Sequence, residues 1–571
     1  MKKRVAFSIA VGGLLLASAS PAQRRAPAVD YSTVIRGGTI YDGSGGAPYV
    51  GDVGLQGDRI ACVGQCSGRA RRTIDGTGKA VSPGFINMLS WANVSLIADG
   101  RGLSDTHQGV TLEVFGEGAS MGPLNAEMKR LELKRQGDIK YPIRWTTLGQ
   151  YLQHLTRKGV TPNVASFVGA TTVREHELGE KDVDPTPAQL RRMRALVRQA
   201  MREGAVGVGS SLIYAPANFA ETPELIALAE EAGKCGGMYI SHIRDEGPKL
   251  LEAIDELVEI SAKSGAPAEI YHFKQSGRAN WPKIDAAIAR VEAARAAGHR
   301  ITADMYTYPA SSTGFDAAFP LWVQDGGVEA WVRRLKDPET RTRAIAWMRS
   351  PEATENTKLV VEEPDKVLLV GFKTEKLKPL TGRTLADVAR ERGKPPEEVA
   401  ADLIVEDETR IQVVYFGMSE ENVRRHVDLP WMSFGSDAAS MAPEGVFLKS
   451  STHPRAYGTF ARLLGKYVRD EKAAALPDAI RRLTSLPATN LSLKRRGWLR
   501  PGYYADVVVF DPATIRDHAT FQKPQQLATG VEHVFVNGVQ VLRDGRHTGA
   551  KPGRFVRGPG WTGWPGGGAC K

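Results

Sequence analysis

Ala205-Val206-Gly207-Val208-Gly209-Ser210-Ser211-Leu212-Ile213-Tyr214 is an apolar run that recurs in kind. Gly237-Met238-Tyr239-Ile240-Ser241-His242 follows, then Ala268-Glu269-Ile270-Tyr271-His272, then Arg300 to Tyr308. The four starts, 205, 237, 268 and 300, lie 32, 31 and 32 residues apart, about the size of one strand–helix unit. Amphipathic helical patterns such as Thr222-Pro223-Glu224-Leu225-Ile226-Ala227-Leu228-Ala229 fill the intervals. Working outward, runs of the same kind stand at Ala80–Trp91, Gly109–Gly118, Asn163–Ala170 and Pro430–Asp437. Eight in all predict an α/β protein with a (β/α)8 TIM-like barrel over residues 83–494. A ninth candidate, Ile411–Phe416, spoils the count. It lies between Tyr308 and Pro430, too long an interval for one crossover, so an inserted lid subdomain is expected at about 310–428.

Further out the texture changes. Residues 31–82 alternate short β-rich runs with turn glycines, and Ala505–Phe510 and His533–Gly538 repeat that texture late in the chain. Segments 31–82 and 495–556 therefore predict one small β-sandwich built from both chain ends. The glycine-rich stretch 557–571 is expected to be a flexible tail.

Composition bounds the function. The 571 residues are 42% hydrophobic and 24% charged, which excludes disordered and fibrous classes. Lys and Arg number 75 against 64 Asp and Glu, a net +11, of which Lys2, Lys3 and Arg4 supply three. Spread thinly, this charge suits anionic small molecules or envelope surfaces and is not the basic stripe of a nucleic-acid binder. Four cysteines form no disulfide framework; Cys62 and Cys66 are the one close pair, disulfide or free thiols. Lys2-Lys3-Arg4 followed by the apolar run Val5–Leu16 and small residues reads as a signal peptide over 1–22. Cleavage is expected after Ala19 or Ala22. The run is too short for a stable membrane anchor, and the mature protein is expected in the periplasm or secreted.

In a barrel of this kind, chemistry collects where strands end. Glu117 follows Val114-Phe115-Gly116, His242 and His272 close adjacent runs, and Asp437 follows Phe434-Gly435-Ser436. Two histidines at equivalent strand ends, with carboxylates on other strands, form a mixed nitrogen and oxygen set that suits zinc.

The chain resembles the amidohydrolase superfamily, and within it the D-aminoacylases (N-acyl-D-amino-acid deacylases). The resemblance rests on Gly37-Gly38-Thr39-Ile40-Tyr41-Asp42-Gly43, Ser82-Pro83-Gly84-Phe85-Ile86, Ser241-His242-Ile243-Arg244-Asp245-Glu246-Gly247 and Gly435-Ser436-Asp437. His453-Pro454-Arg455, Thr484-Ser485-Leu486-Pro487-Ala488-Thr489 and Arg500-Pro501-Gly502 extend it, in order, over about residues 32 to 556. It implies a zinc-dependent barrel on a β-sandwich that hydrolyses the amide of an N-acyl amino acid or a related small amide with a free carboxylate.

One departure stands out. The family's first barrel strand carries His-x-His as metal ligands, and here Leu89 and Trp91 occupy those positions. Glu117 falls at or beside the position of the family's cysteine ligand. One zinc per chain, held by Glu117, His242 and His272, is therefore expected. Asp437 is the expected base and proton donor. Arg455 is expected to clamp the substrate carboxylate, with Tyr214 and Tyr306 as pocket walls and His453 behind the ligands.

Two other readings stay open. Gly118-Ala119-Ser120-Met121-Gly122 fits the nucleophile elbow of a serine hydrolase, which leaves His242 and His272 unexplained. Loss of the first-strand histidines also fits a metal-free, non-catalytic binding barrel, which leaves unexplained why Glu117, His242, His272, Lys274 and Asp437 persist together.

Overall fold

The structure is a computed structural model describing Met1 and residues 31–570; the segment read as a signal peptide lies outside the described residues. No helix among them is long and apolar enough to cross a membrane.

Both chain ends build one nine-stranded sheet among the described residues. The join is Val507–Phe510, antiparallel to Ala80–Pro83, with Val507 opposite Pro83 and Phe510 opposite Ala80. Ala80–Pro83 in turn pairs parallel with Thr33–Ile40. Side chains alternate across a strand, and here both faces are covered. Val507 and Val509 enter a core with Ile35, Val53 and Leu55, whereas Val508 and Phe510 enter the main core with Phe85. The run Val507-Val508-Val509-Phe510 thus welds the sheet onto the larger body.

That body carries parallel strands, most of them followed by helix. A three-stranded sheet holds Phe85–Asn87, Val110–Phe115 and Asn163–Ser166. A six-stranded sheet runs from Val168–Gly169 through Gly207–Ser211, Met238–His242, Ala268–Ile270 and Ile301–Met305 to Met432–Phe434. The two sheets meet at Phe167, whose N–H donates to the Phe115 carbonyl (2.8 Å). They meet again where Met88 N–H reaches the Phe434 carbonyl (3.2 Å) and Asp437 N–H the Leu89 carbonyl (2.9 Å).

The ninth candidate strand belongs elsewhere. Gln412–Tyr415 is the middle strand of a three-stranded antiparallel sheet with Ser311–Gly314 and Val367–Gly371. This sheet and its helices have a separate core that includes Phe315, Trp331, Leu403 and Tyr415.

One expectation is corrected and one open alternative is resolved. Residues 557–570 are packed rather than flexible: Gly558 N–H donates to the Gly204 carbonyl (2.9 Å) and Thr562 N–H to that of Arg202 (3.1 Å). Trp561 and Trp564 pack edge to face, with ring centroids 5.1 Å apart. The four cysteines form two disulfides, Cys62–Cys66 and Cys235–Cys570, the second spanning 335 residues. Glycine content marks turns; it does not report the aromatic and covalent anchors that hold them.

Candidate active site

The strand ends converge on a cavity of about 680 Å³, closed on one side by Thr313, Val370 and Arg410 of the insertion. Glu117 sits two residues past the second parallel strand, between Gly116 (φ +110°) and Gly118 (φ +67°). A Cβ at Gly116 would lie 2.5 Å from the Phe167 carbonyl oxygen, and one at Gly118 2.5 Å from the Ser211 Cβ. The turn that presents Glu117 therefore needs glycine on both sides. His242 is the last residue of its strand. His272 and Asp437 follow theirs with left-handed backbones, φ +35° and +48°. Such conformations cost about 1–3 kcal/mol in non-glycine residues and gather at functional sites.

The three expected ligands come together. Glu117 Oε1 lies 3.1 Å from His242 Nδ1 and 3.0 Å from His272 Nε2, and all three side chains are buried. The candidate ligand atoms lie within 4.8 Å of one another. Ligands 2.0–2.1 Å from a tetrahedral zinc stand ~3.3 Å apart, so the set fits an ion with little movement.

Behind the histidines lie two residues the expected site did not include. Glu246 Oε1 is 3.1 Å from His272 Nδ1, and its Oε2 is 3.6 Å from His242 Nε2. Lys274 Nζ reaches Glu246 Oε1 (2.5 Å) and His272 Nδ1 (2.8 Å). Such partners fix ring orientation in metal-binding histidines. Glu246 was within the quoted motif and Lys274 within the quoted set, but strand-end position does not mark either.

The charges interlock. Burial pushes the Glu117 carboxyl up, but His272 and His242 overcome it and hold the group well below the usual carboxylate range. Glu246 is likewise held low by Lys274 and both histidines against burial. His272 is raised to about 10 although burial and Lys274 oppose it, because Glu117 and Glu246 flank the ring. Asp437 is raised by burial, which outweighs Arg455.

Asp437 and Arg455 share the cavity and touch each other: Arg455 Nη1 is 2.7 Å from Asp437 Oδ2. Arg455 Nη2 donates to the Ser312 carbonyl (3.2 Å), and its guanidinium lies 4.5 Å from the Tyr306 ring centroid. His453 Nδ1 accepts the Arg455 backbone N–H (2.9 Å), so it positions the arginine. Tyr214 packs edge-on to His242, centroids 5.3 Å apart, with its hydroxyl 2.8 Å from Thr313 Oγ1. Tyr306 is buried on the wall, its hydroxyl donating to Met418 Sδ (3.3 Å).

Trp91 is in the site although it cannot bind metal. Its indole Nε1–H donates to Glu117 Oε2 (2.9 Å) and Asp437 Oδ1 (3.2 Å). Leu89 is buried in the core beside Gly435. Ser120 does not form a nucleophile site: its hydroxyl donates to the Gly122 carbonyl (2.7 Å) and accepts from Gly169 N–H (2.9 Å).

The model of the amidohydrolase family matches residues 72–542. D-aminoacylase of Alcaligenes xylosoxydans xylosoxydans is 32% identical over 531 residues, covering 92% of this chain and 97% of that protein. The chain belongs to the amidohydrolase family. Within it the chain falls with the D-aminoacylases, and it is a hydrolase of carbon–nitrogen amide bonds. A solved D-aminoacylase whose binuclear metal centre shows one-metal activation and second-metal attenuation superposes with a TM-score of 0.76. It is 32% identical, covering 92% of this chain and all of that one. N-acyl-D-glutamate deacylase from Bordetella bronchiseptica, solved with zinc and a phosphonate mimic of the tetrahedral intermediate, also gives 0.76. It is 29% identical, covering 93% and 100%.

Proposed function

We propose that this chain is an exported, zinc-dependent deacylase of N-acyl-D-amino acids that works with one ion. The observation that carries the reading is the buried Glu117–His242–His272 cluster facing Asp437 across one cavity. The same reading takes the two parallel sheets, meeting at Phe167 and at Met88–Phe434, as one (β/α)8 barrel. The relatives with known names support the D-amino-acid class.

Zinc held by Glu117, His242 and His272 would polarise the scissile carbonyl and acidify the attacking water. Asp437 accepts that water's proton and returns it to the departing amine, a task worth ~10²–10⁴-fold. Burial suits it to carry the proton through the cycle, and Arg455 on Oδ2 fixes its direction. Arg455, whose Nε and Nη1 have no hydrogen-bond partner among the described residues, also reads the substrate carboxylate. Tyr214 and Tyr306 wall the substrate, and the insertion shields it from water.

The test is a panel of N-acyl-D- and N-acyl-L-amino acids, assayed with chelator and after zinc is restored. D-substrates should be hydrolysed, chelator should abolish turnover, and zinc should return it. Hydrolysis that survives complete metal removal, or is blocked by a serine-directed inhibitor, contradicts the reading. Export is tested by N-terminal sequencing, which should find a start near Ser20 or Gln23 in soluble protein outside the cytoplasm. Met1 retained on a membrane-bound form contradicts it.

A further inference from the structure

Trp91 stands on backbone tied to two neighbouring segments. Its own N–H donates to the Ala438 carbonyl (2.9 Å), Ser90 N–H to Val114, and Asp437 N–H to the Leu89 carbonyl. The backbone of residues 89–91 is thereby fixed to the segments that carry Glu117 and Asp437. From that position one indole N–H reaches both carboxylates, Glu117 Oε2 at 2.9 Å and Asp437 Oδ1 at 3.2 Å. Every carboxylate oxygen then has an assignment. Glu117 Oε1 faces the two histidines, and Asp437 Oδ2 faces Arg455. The space between the two acids holds a donor proton.

A second cation bridging Glu117 and Asp437 would meet that N–H head on and would have to displace it. Without the N–H, two buried carboxylates would face each other with nothing between them, and like charges so placed repel. We propose that Trp91 is a positioning residue that fixes the ion count at one: its ring, which offers no metal ligand, occupies the gap between Glu117 and Asp437, and its indole N–H aims both carboxylates. This rests on the one-ion deacylase reading and adds to it a reason why the count is one.

Three variants separate the roles. Metal-free wild type, equilibrated with excess Zn²⁺ and stripped of unbound ion by gel filtration, should retain about one ion per chain. Trp91→His puts an imidazole between two carboxylates and should retain about two. Trp91→Phe keeps the ring and deletes the N–H; it should keep one ion and lose kcat by roughly tenfold or more, with KM changed less than about threefold. Trp91 is 36% exposed, so smaller rings should be tolerated. A direct signature is the indole ¹H–¹⁵N resonance of zinc-loaded protein, identified by its absence in Trp91→Phe. It should move in Asp437→Asn.

Two ions in wild type, or one ion in Trp91→His, overturn the count. Wild-type kcat in Trp91→Phe, or an indole resonance unmoved by Asp437→Asn, overturns the positioning role. Wild type that binds no ion overturns the deacylase reading itself, and this inference falls with it.

Discussion

The guanidinium of Arg455 lies against the carboxylate of Asp437, Nη1 to Oδ2 at 2.7 Å, with both side chains buried. A residue expected to meet substrate thus also holds the proposed base. The contact gives Arg455 two separable effects, one on the direction of the base and one on substrate binding.

Arg455→Ala should therefore lower kcat on every substrate, since Asp437 loses its partner. It should also raise KM for free-acid substrates by the loss of a charge-assisted contact worth about 1.5–3 kcal/mol, and leave KM for the matching amides or esters nearly unchanged. Steady-state kinetics on paired acids and amides checks this. Equal KM effects on both would show that Arg455 holds the base and nothing else.

Stability should depend on Glu113. It is fully buried next to Asp105, it accepts Asn87 Nδ2–H (2.9 Å), and its Oε1 has no hydrogen-bond partner among the described residues. Burial raises its pKa from 4.5 to about 7. The folded protein thus holds this proton to higher pH than the unfolded chain does, so its share of stability is full below about 4.5 and is lost as pH rises through about 7. Glu113→Gln cannot ionise and should flatten the loss. Urea titrations at pH 5 and pH 8 should show a smaller difference in the variant; an unchanged difference would contradict the assignment.

The Cys235–Cys570 disulfide should matter for stability and not for turnover. Cys235 precedes the strand Met238–His242, at the end away from His242. Cys570→Ser should lower unfolding free energy by about 2–4 kcal/mol with kcat unchanged at temperatures where the protein stays folded. Denaturation with and without reductant measures it, and a large kcat loss in folded protein would show that the tail reaches the site.

The α/β architecture and the meeting of Glu117, His242 and His272 were legible in the sequence for one physical reason. A repeat of 31–32 residues brings equivalent strand ends to one face, so His242 and His272 had to be neighbours. The glycines around Glu117 were visible as well, because only glycine tolerates that turn. What was not legible depends on pairs far apart in the chain. Trp91 and Asp437 are 346 residues apart, and an indole is not a ligand type, so its donor role had no signature. Lys274 reaches Glu246 across two loops. Cys570 finds Cys235 at a separation of 335, and the packing of the tail followed from that contact and from two tryptophans rather than from composition. Ile411–Phe416 had the right texture for a barrel strand but an antiparallel partner on each side.

The most direct test of the account is elemental analysis of purified protein beside the single-turnover rate on an N-acyl-D-amino acid. Wild type should carry about one zinc per chain. That ion should be lost in His242→Ala and in His272→Ala, and kept in Asp437→Asn while turnover disappears. An Asp437→Asn protein without metal would place Asp437 among the ligands, and about two ions in active wild type would mean a second site; either result contradicts the account.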